Sequence, residues 1–159
     1  MKAVVLAAGK GRRLWPLTEN RPKPMLPVAN RPILEHIIDA LTQTAITEVL
    51  VVVGSNRDRI QSHFEDSYGD LEISYIVQEQ QLGTGHALLQ AESHLGDSFI
   101  ALNGDRVIDT AVIDAVISRR KETNEPVMAI TRIERPSRYG VVELEGQTVV
   151  GLEEQPHPD

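Results

Sequence analysis

Leu6-Ala7-Ala8-Gly9-Lys10-Gly11-Arg12-Arg13-Leu14 puts small residues and cations into one short segment. Small residues let backbone N–H groups approach phosphate oxygens closely, and glycine admits positive φ. Lys10, Arg12 and Arg13, joined further along by Lys23, supply the positive charge that a phosphorylated ligand attracts. Two familiar glycine motifs are excluded by counting. A dinucleotide fingerprint and a P-loop started at Gly9 would both need glycine at position 14, where Leu14 stands. That disfavours a dehydrogenase. His36, His63, His86, His94 and His157 show no metal-ligand spacing and no evident carboxylate partner, and the chain has no cysteine for a thiol nucleophile, a disulfide or Cys-ligated zinc.

These residues must be held by something, and the hydrophobic pattern says what. Ala3–Leu6 is a continuous apolar run ended by glycines, the signature of a buried parallel strand. Pro16, Pro22, Pro24 and Pro27 exclude a regular helix between Leu14 and Arg31. Pro32 suits a first helical turn, and Ile33, Leu34, Ile37, Ile38 and Leu41 follow at helical spacing. Val49–Val53, Ile73–Val77 and Phe99–Leu102 read as further strands. Helices are expected over about 56–64, capped by Ser55 or Asn56, then over 84–95 and about 110–120. Val127–Thr131, Val141–Leu144 and Val149–Leu152 read as closely spaced strands, an antiparallel or mixed region. Strands alternating with helices imply a three-layer α/β/α fold around a mainly parallel, Rossmann-like mixed sheet. In such sheets ligands gather beyond the carboxyl ends of the strands, which is where the first strand delivers the Gly9–Arg13 loop.

At 159 residues, 41% hydrophobic and 25% charged, the chain has the size and composition of a globular domain. Sixteen Lys and Arg against 23 Asp and Glu leave a formal charge of −7, with 4% aromatics. This disfavours nucleic acid as a partner, because phosphate-backbone affinity rests on Lys and Arg. The apolar run Ala3–Ala8 is shorter than a signal peptide's and leads into cations, and no stretch approaches the roughly 20 apolar residues of a membrane span. A cytoplasmic protein without membrane contact is expected. The Ile33–Leu41 stripe serves the core or a subunit contact, which leaves a homo-oligomer open.

L-A-A-G-x-G-x-R-L-x-P-L-T followed by R-P-K-P-M-L-P-V resembles the signature of the sugar-1-phosphate nucleotidylyltransferases. The likeness continues through Gln78-x4-Gly83-Thr84-Gly85-His86-Ala87, Asn103-Gly104-Asp105, Tyr139-Gly140-Val141-Val142 and Glu153-Glu154-Gln155-Pro156, in the family's order. Within the family, Gln-Leu-Gly-Thr-Gly-His-Ala is most similar to the N-acetylglucosamine-1-phosphate uridylyltransferase branch, which includes bifunctional enzymes carrying an acyltransferase domain.

The resemblance implies an enzyme of the nucleotide-diphospho-sugar transferase fold that joins a nucleoside triphosphate to a sugar 1-phosphate and releases pyrophosphate. It implies that Leu6, Ala7, Ala8, Gly9 and Gly11 hold the nucleotide, with Gln78, Gly83, Thr84, Asn103 and Gly104. Arg13 and Lys23 match catalytic cations, and Asp105 matches a ligand of Mg²⁺. Gly140 and Glu154 match sugar-side positions. A Gln78 amide suits the polar edge of a pyrimidine, and the likeness to the uridylyltransferase branch implies UTP, with dTTP the second choice. Asp105 could instead cap a turn, Gln78 could simply end a strand, and Glu153 competes with Glu154. Trp15 fits loop packing or ligand contact, and His86 fits a helix surface or packing. Arg12 stands where the family has Thr or Ser, and Gln155 where many members have Lys. The whole span 1–159 reads as one nucleotidyltransferase domain that stops after Glu154, before further sugar contacts and a second metal carboxylate. Such a chain is expected to bind UTP-Mg²⁺ weakly, to turn over slowly or not at all, and to self-associate through uncovered apolar surface. Glucose-1-phosphate thymidylyl- or uridylyltransfer, and a non-catalytic sensor of the same fold, are the alternatives.

Overall fold

The computed structural model describes residues 1–54, 56–134 and 139–154. The chain divides into two units, 1–127 and 128–159.

The first unit is built on a sheet of five strands. They are β1 (Lys2–Ala7), β4 (Glu48–Val53), β5 (Ser67–Tyr68), β6 (Leu71–Val77) and β7 (Phe99–Asn103), and a small ribbon of β2 (Pro27–Val28) and β3 (Arg31–Pro32) lies between β1 and β4 in sequence. The spatial order is β5-β6-β4-β1-β7; β6, β4, β1 and β7 run parallel, and β5 pairs antiparallel with β6. Successive strands therefore step from β1 to β4 to β6, and β7 then returns to the other side of β1. This reversal opens a crevice between the carboxyl ends of β1 and β7.

Alternation along the strands loads both faces. Ala3, Val5 and Ala7, with Val49, Val51 and Val53, pack on α1 (Ile33–Thr42), α2 (Arg57–Phe64) and α4 (Thr110–Thr123) through Leu34, Ile37, Ile60, Phe64 and Ile113. Val4, Leu50 and Val52 face the opposite layer, where Ala87 of α3 (Thr84–Leu89) and Ala91 close the core. The three-layer α/β/α architecture expected from the sequence is present. α4 starts where the Asp109 carboxylate accepts from the Ala111 N–H at 2.8 Å and ends at Asn124 in the left-handed region.

Several local expectations need correction. The helix expected over 84–95 ends at Leu89 and tightens into a 3-10 turn at Glu92–His94, because the amides of Ala91, His94 and Leu95 bond three residues back. Asn56 occupies the cap of α2 without a side-chain hydrogen bond, and Ser55 lies outside the described residues. Between Leu14 and Arg31 no regular helix forms, as the prolines require; within this stretch the chain makes a 3-10 turn at Lys23–Met25 and begins the β2–β3 ribbon. α4 extends three residues beyond Arg120.

In the second unit, β8 (Gly140–Glu145) and β9 (Thr148–Glu154) form an antiparallel hairpin. The strand expected at Val127–Thr131 is absent; among the described residues no strand pairs with it, and Met128 and Ile130 are exposed. β-propensity without a ladder partner leaves the backbone groups unbonded, so the run stays irregular. Residues 155–159, including Gln155 and His157, lie outside the described residues. Among those described, no helix is long and apolar enough to cross a membrane.

Candidate active site

β1 ends buried between its two neighbours, with Ala7 opposite Val53 and Leu6 opposite Asn103. The chain then leaves the sheet through Ala8, still buried, into exposed Gly9 and Lys10. Gly54 lies against this exit, where a β-carbon would come within 2.7 Å of the Ala8 carbonyl oxygen. The Gln81 side-chain amide donates to that same oxygen at 2.7 Å. Gly11 turns the chain with φ 61° and ψ 26°, opening the Arg12–Leu14 turn. Its carbonyl accepts from the Leu14 N–H at 2.9 Å and from the buried Thr18 hydroxyl at 3.0 Å. The loop is thus tied at both ends, while Gly9, where an added β-carbon would meet no atom within 4 Å, borders open space.

On the other side of the crevice, the Gly104 N–H donates to the Leu6 carbonyl at 2.9 Å. A β-carbon on Gly104 would meet that carbonyl oxygen at 3.0 Å and the Ala7 side chain at 3.1 Å, so glycine permits this close approach. Asp105 follows, and Lys23 Nζ donates to its Oδ2 at 2.5 Å. Both side chains are about one-third exposed, so the pair is accessible from the cleft.

The base of α3 supplies a third wall. Gln78 extends the β6–β4 ladder by donating its N–H to Val53 at 2.8 Å. Its side-chain amide nitrogen lies 2.8 Å from His86 Nδ1 and 3.5 Å from the Gly83 carbonyl oxygen. Gly83 adopts φ 104° at the start of α3, with Thr84 as its first residue.

Together these walls enclose a cleft of about 910 Å³. It is lined by Leu6, Ala7, Ala8, Gly9, Gly11, Arg13, Lys23, Gln78, Gly83, Thr84, Asn103 and Asp105, all singled out in the sequence. Gly104, also singled out, is buried and does not line it. Lys10 and Arg12 line it too, and so do Gln81 and Arg106, which the sequence reading missed. Arg106 was legible only as the neighbour of Asp105, and Gln81 had no local signal at all. Among the described lining residues, five cations (Lys10, Arg12, Arg13, Lys23, Arg106) stand against one carboxylate, Asp105. A chain with formal charge −7 therefore carries a locally cationic cleft, suited to a polyanion. Among the described residues no group of three or more His, Asp or Glu is placed to enclose a metal, and Asp105 is the single carboxylate lining the cleft.

Gly140 and Glu154 lie in the second unit, directly opposite each other in the β8–β9 register. A β-carbon on Gly140 would fall 2.8 Å from Glu154 Oε2, so the two belong to one local arrangement. Trp15 is exposed on the loop beyond Leu14, and His86 is neither a surface nor a packing residue alone, since its ring meets the Gln78 amide.

Comparisons with known proteins agree with this architecture. The Nucleotidyl transferase family matches residues 2–159. The chain is 40% identical over 160 residues to the bifunctional protein GlmU of Methanococcus vannielii, covering 100% of this chain and 36% of that protein. It is 39% identical over 143 residues to the UTP–glucose-1-phosphate uridylyltransferase AglF of Haloferax volcanii, covering 89% of this chain and 59% of that one. A crystal structure of UDP-glucose pyrophosphorylase complexed with UDP-glucose superposes with a TM-score of 0.86 at 24% identity, over 98% of this chain and 69% of that one, which establishes likeness of fold. The chain spans little more than a third of the GlmU relative's length. On the match across residues 2–159, this chain belongs to the nucleotidyl transferase family.

Proposed function

We propose that this chain provides the nucleotide-binding part of a sugar-1-phosphate nucleotidylyltransferase, taking UTP and N-acetylglucosamine 1-phosphate. The observation that carries the reading is the convergence of the Gly9–Arg13 loop, the Lys23–Asp105 pair and Gln78 on one cationic cleft. A phosphate oxygen of the sugar 1-phosphate attacks the α-phosphorus of the triphosphate. The new O–P bond forms as the bond to the β-phosphate bridging oxygen breaks, and pyrophosphate leaves. Such a transfer needs positioning and neutralisation of charge more than covalent help.

The exposed Gly9 backbone and the cations of residues 10–13 receive the phosphates, while Gln78 and the Gly83 backbone meet the base. Lys23 stabilises the transferring phosphoryl group as a point charge. Asp105 fits Mg²⁺, which commonly takes one or two protein carboxylates and completes its shell with phosphate oxygens and water. Mg²⁺ held there would neutralise phosphate charge. Gly140 and Glu154 are assigned to the sugar.

The Haloferax relative, whose name specifies UTP and glucose 1-phosphate, supports a second reading with that sugar, with dTTP the second choice of nucleotide. Pyrophosphate release by the full-length protein, measured over four nucleoside triphosphates and several sugar 1-phosphates, tests both. UTP with N-acetylglucosamine 1-phosphate is expected among the best pairs, and its absence from them overturns the choice of base and sugar. No release with any pair overturns the reaction itself and favours a sensor.

A further inference from the structure

Gln78 is 3% exposed, yet it lines the cleft. A buried primary amide offers two N–H donors and one oxygen, and its orientation decides which of them a ligand meets. Here the nitrogen side is occupied from within the protein. Nε2 lies 2.8 Å from His86 Nδ1 and 3.5 Å from the Gly83 carbonyl oxygen. That carbonyl can only accept, so it fixes the NH₂ group on this side; the opposite orientation would set two oxygens against each other. His86 Nδ1 must then accept and the ring proton lies on Nε2; the Gln90 side-chain amide, whose nitrogen stands 3.4 Å from that atom, turns over to receive the proton on its oxygen. Among the described residues no donor is recorded at Gln78 Oε1.

We propose that His86 is a positioning residue that locks the Gln78 amide with its oxygen toward the cleft, selecting a pyrimidine that carries N3–H over one with a bare N3. The inference rests on the nucleotidyl-transfer reading of the cleft. Uracil and thymine present a donor at N3. Cytosine has a lone pair at N3 and moves its donor out to the N4 amino group, so it meets a fixed acceptor with the wrong atom. Without an acceptor at position 86, the amide is free to turn over and offer its NH₂ instead. A mismatch at a desolvated amide is worth on the order of ten- to a hundred-fold in affinity.

The test is calorimetric titration of this chain with UTP and with CTP, each with Mg²⁺, in the unsubstituted protein, His86→Leu and His86→Asn. UTP is expected to bind at least about tenfold tighter than CTP to the unsubstituted protein. His86→Leu should bring the two affinities together, chiefly by strengthening CTP relative to UTP. His86→Asn, whose side-chain oxygen reaches roughly the place of Nδ1, should keep the preference. A merely structural role would weaken both nucleotides alike and leave their ratio unchanged. His86→Ala serves the same comparison where leucine disturbs the packing of α3. A ratio unaltered by loss of the acceptor overturns the role of His86 while leaving the cleft's function standing. If neither nucleotide binds the unsubstituted protein, the underlying reading fails and the inference falls with it.

Discussion

Gly9 and Gly11 sit two residues apart in the same loop, and the structure assigns them opposite sensitivities to one added methyl group. At Gly11 the backbone has φ 61°, and a β-carbon would meet Thr18 Cγ2 at 2.9 Å and Lys23 Cβ at 3.1 Å. The left-handed conformation costs an L-residue roughly 1–2 kcal/mol. Relieving the contact with buried Thr18 adds about 1–2 kcal/mol, within the range for overpacking. Gly11→Ala should therefore destabilise the fold by about 2–4 kcal/mol, a fall in Tm of roughly 4–16 °C for a chain of this size. At Gly9 nothing lies within 4 Å and φ is outside the left-handed region. Gly9→Ala should change stability by no more than about 0.5–1 kcal/mol, in the stabilising direction if either. Its methyl group would instead stand where the phosphates approach the backbone, so UTP-Mg²⁺ affinity should fall about tenfold or more. Thermal unfolding followed by circular dichroism, with calorimetric titration of UTP-Mg²⁺ beside it, reads both quantities. Equal Tm losses for the two variants, or undiminished nucleotide affinity in Gly9→Ala, would refute the assignment of Gly9 to the ligand and Gly11 to the turn.

Asp105→Asn keeps the side chain's shape but removes the charge that pairs with Lys23 and fits Mg²⁺; pyrophosphate release by the full-length protein should drop by about 10³-fold or more, whereas a sensor would retain its ligand response. Gln81→Leu removes the amide that holds the Ala8 carbonyl; a loss of about 1–2 kcal/mol in stability is expected by denaturant unfolding, with weaker UTP binding, and unaltered binding would show that the loop needs no such brace. Glu35 accepts from Arg31 Nε at 2.9 Å and pairs with His63 at 2.9 Å. Burial opposes its ionisation, yet the hydrogen bonds from His63 and Arg31 and their charges outweigh burial and hold the carboxyl below its ordinary range. Its stabilising contribution is accordingly complete above the ordinary carboxylate range and lost as pH falls through the lowered folded value. Unfolding measured from pH 7 downwards should show a shallower acid loss in Glu35→Gln than in the unsubstituted protein; identical slopes would remove Glu35 from the account.

Local signals in the sequence determined much of this protein. Unbroken apolar runs such as Ala3–Leu6 and Val49–Val53 can be satisfied only as buried strands, and the prolines between Leu14 and Arg31 forbid a helix wherever the chain goes next. Strand–helix alternation dictated a parallel sheet, and with it a ligand crevice at the carboxyl ends. The candidate site residues from Leu6 to Asp105 were legible in another way, through the resemblance of the short blocks that hold them to a known family's motifs. Tertiary structure decided what depends on meeting across the chain. Lys23 and Asp105 are 82 residues apart, and Gln81 and Ala8 are 73 apart; no periodicity encodes either contact. His86 reads as an ordinary helical residue until α3 docks and sets its ring against Gln78. Val127–Thr131 has the composition of a strand but remains irregular, because a strand is completed by a neighbour's hydrogen bonds and propensity alone supplies none.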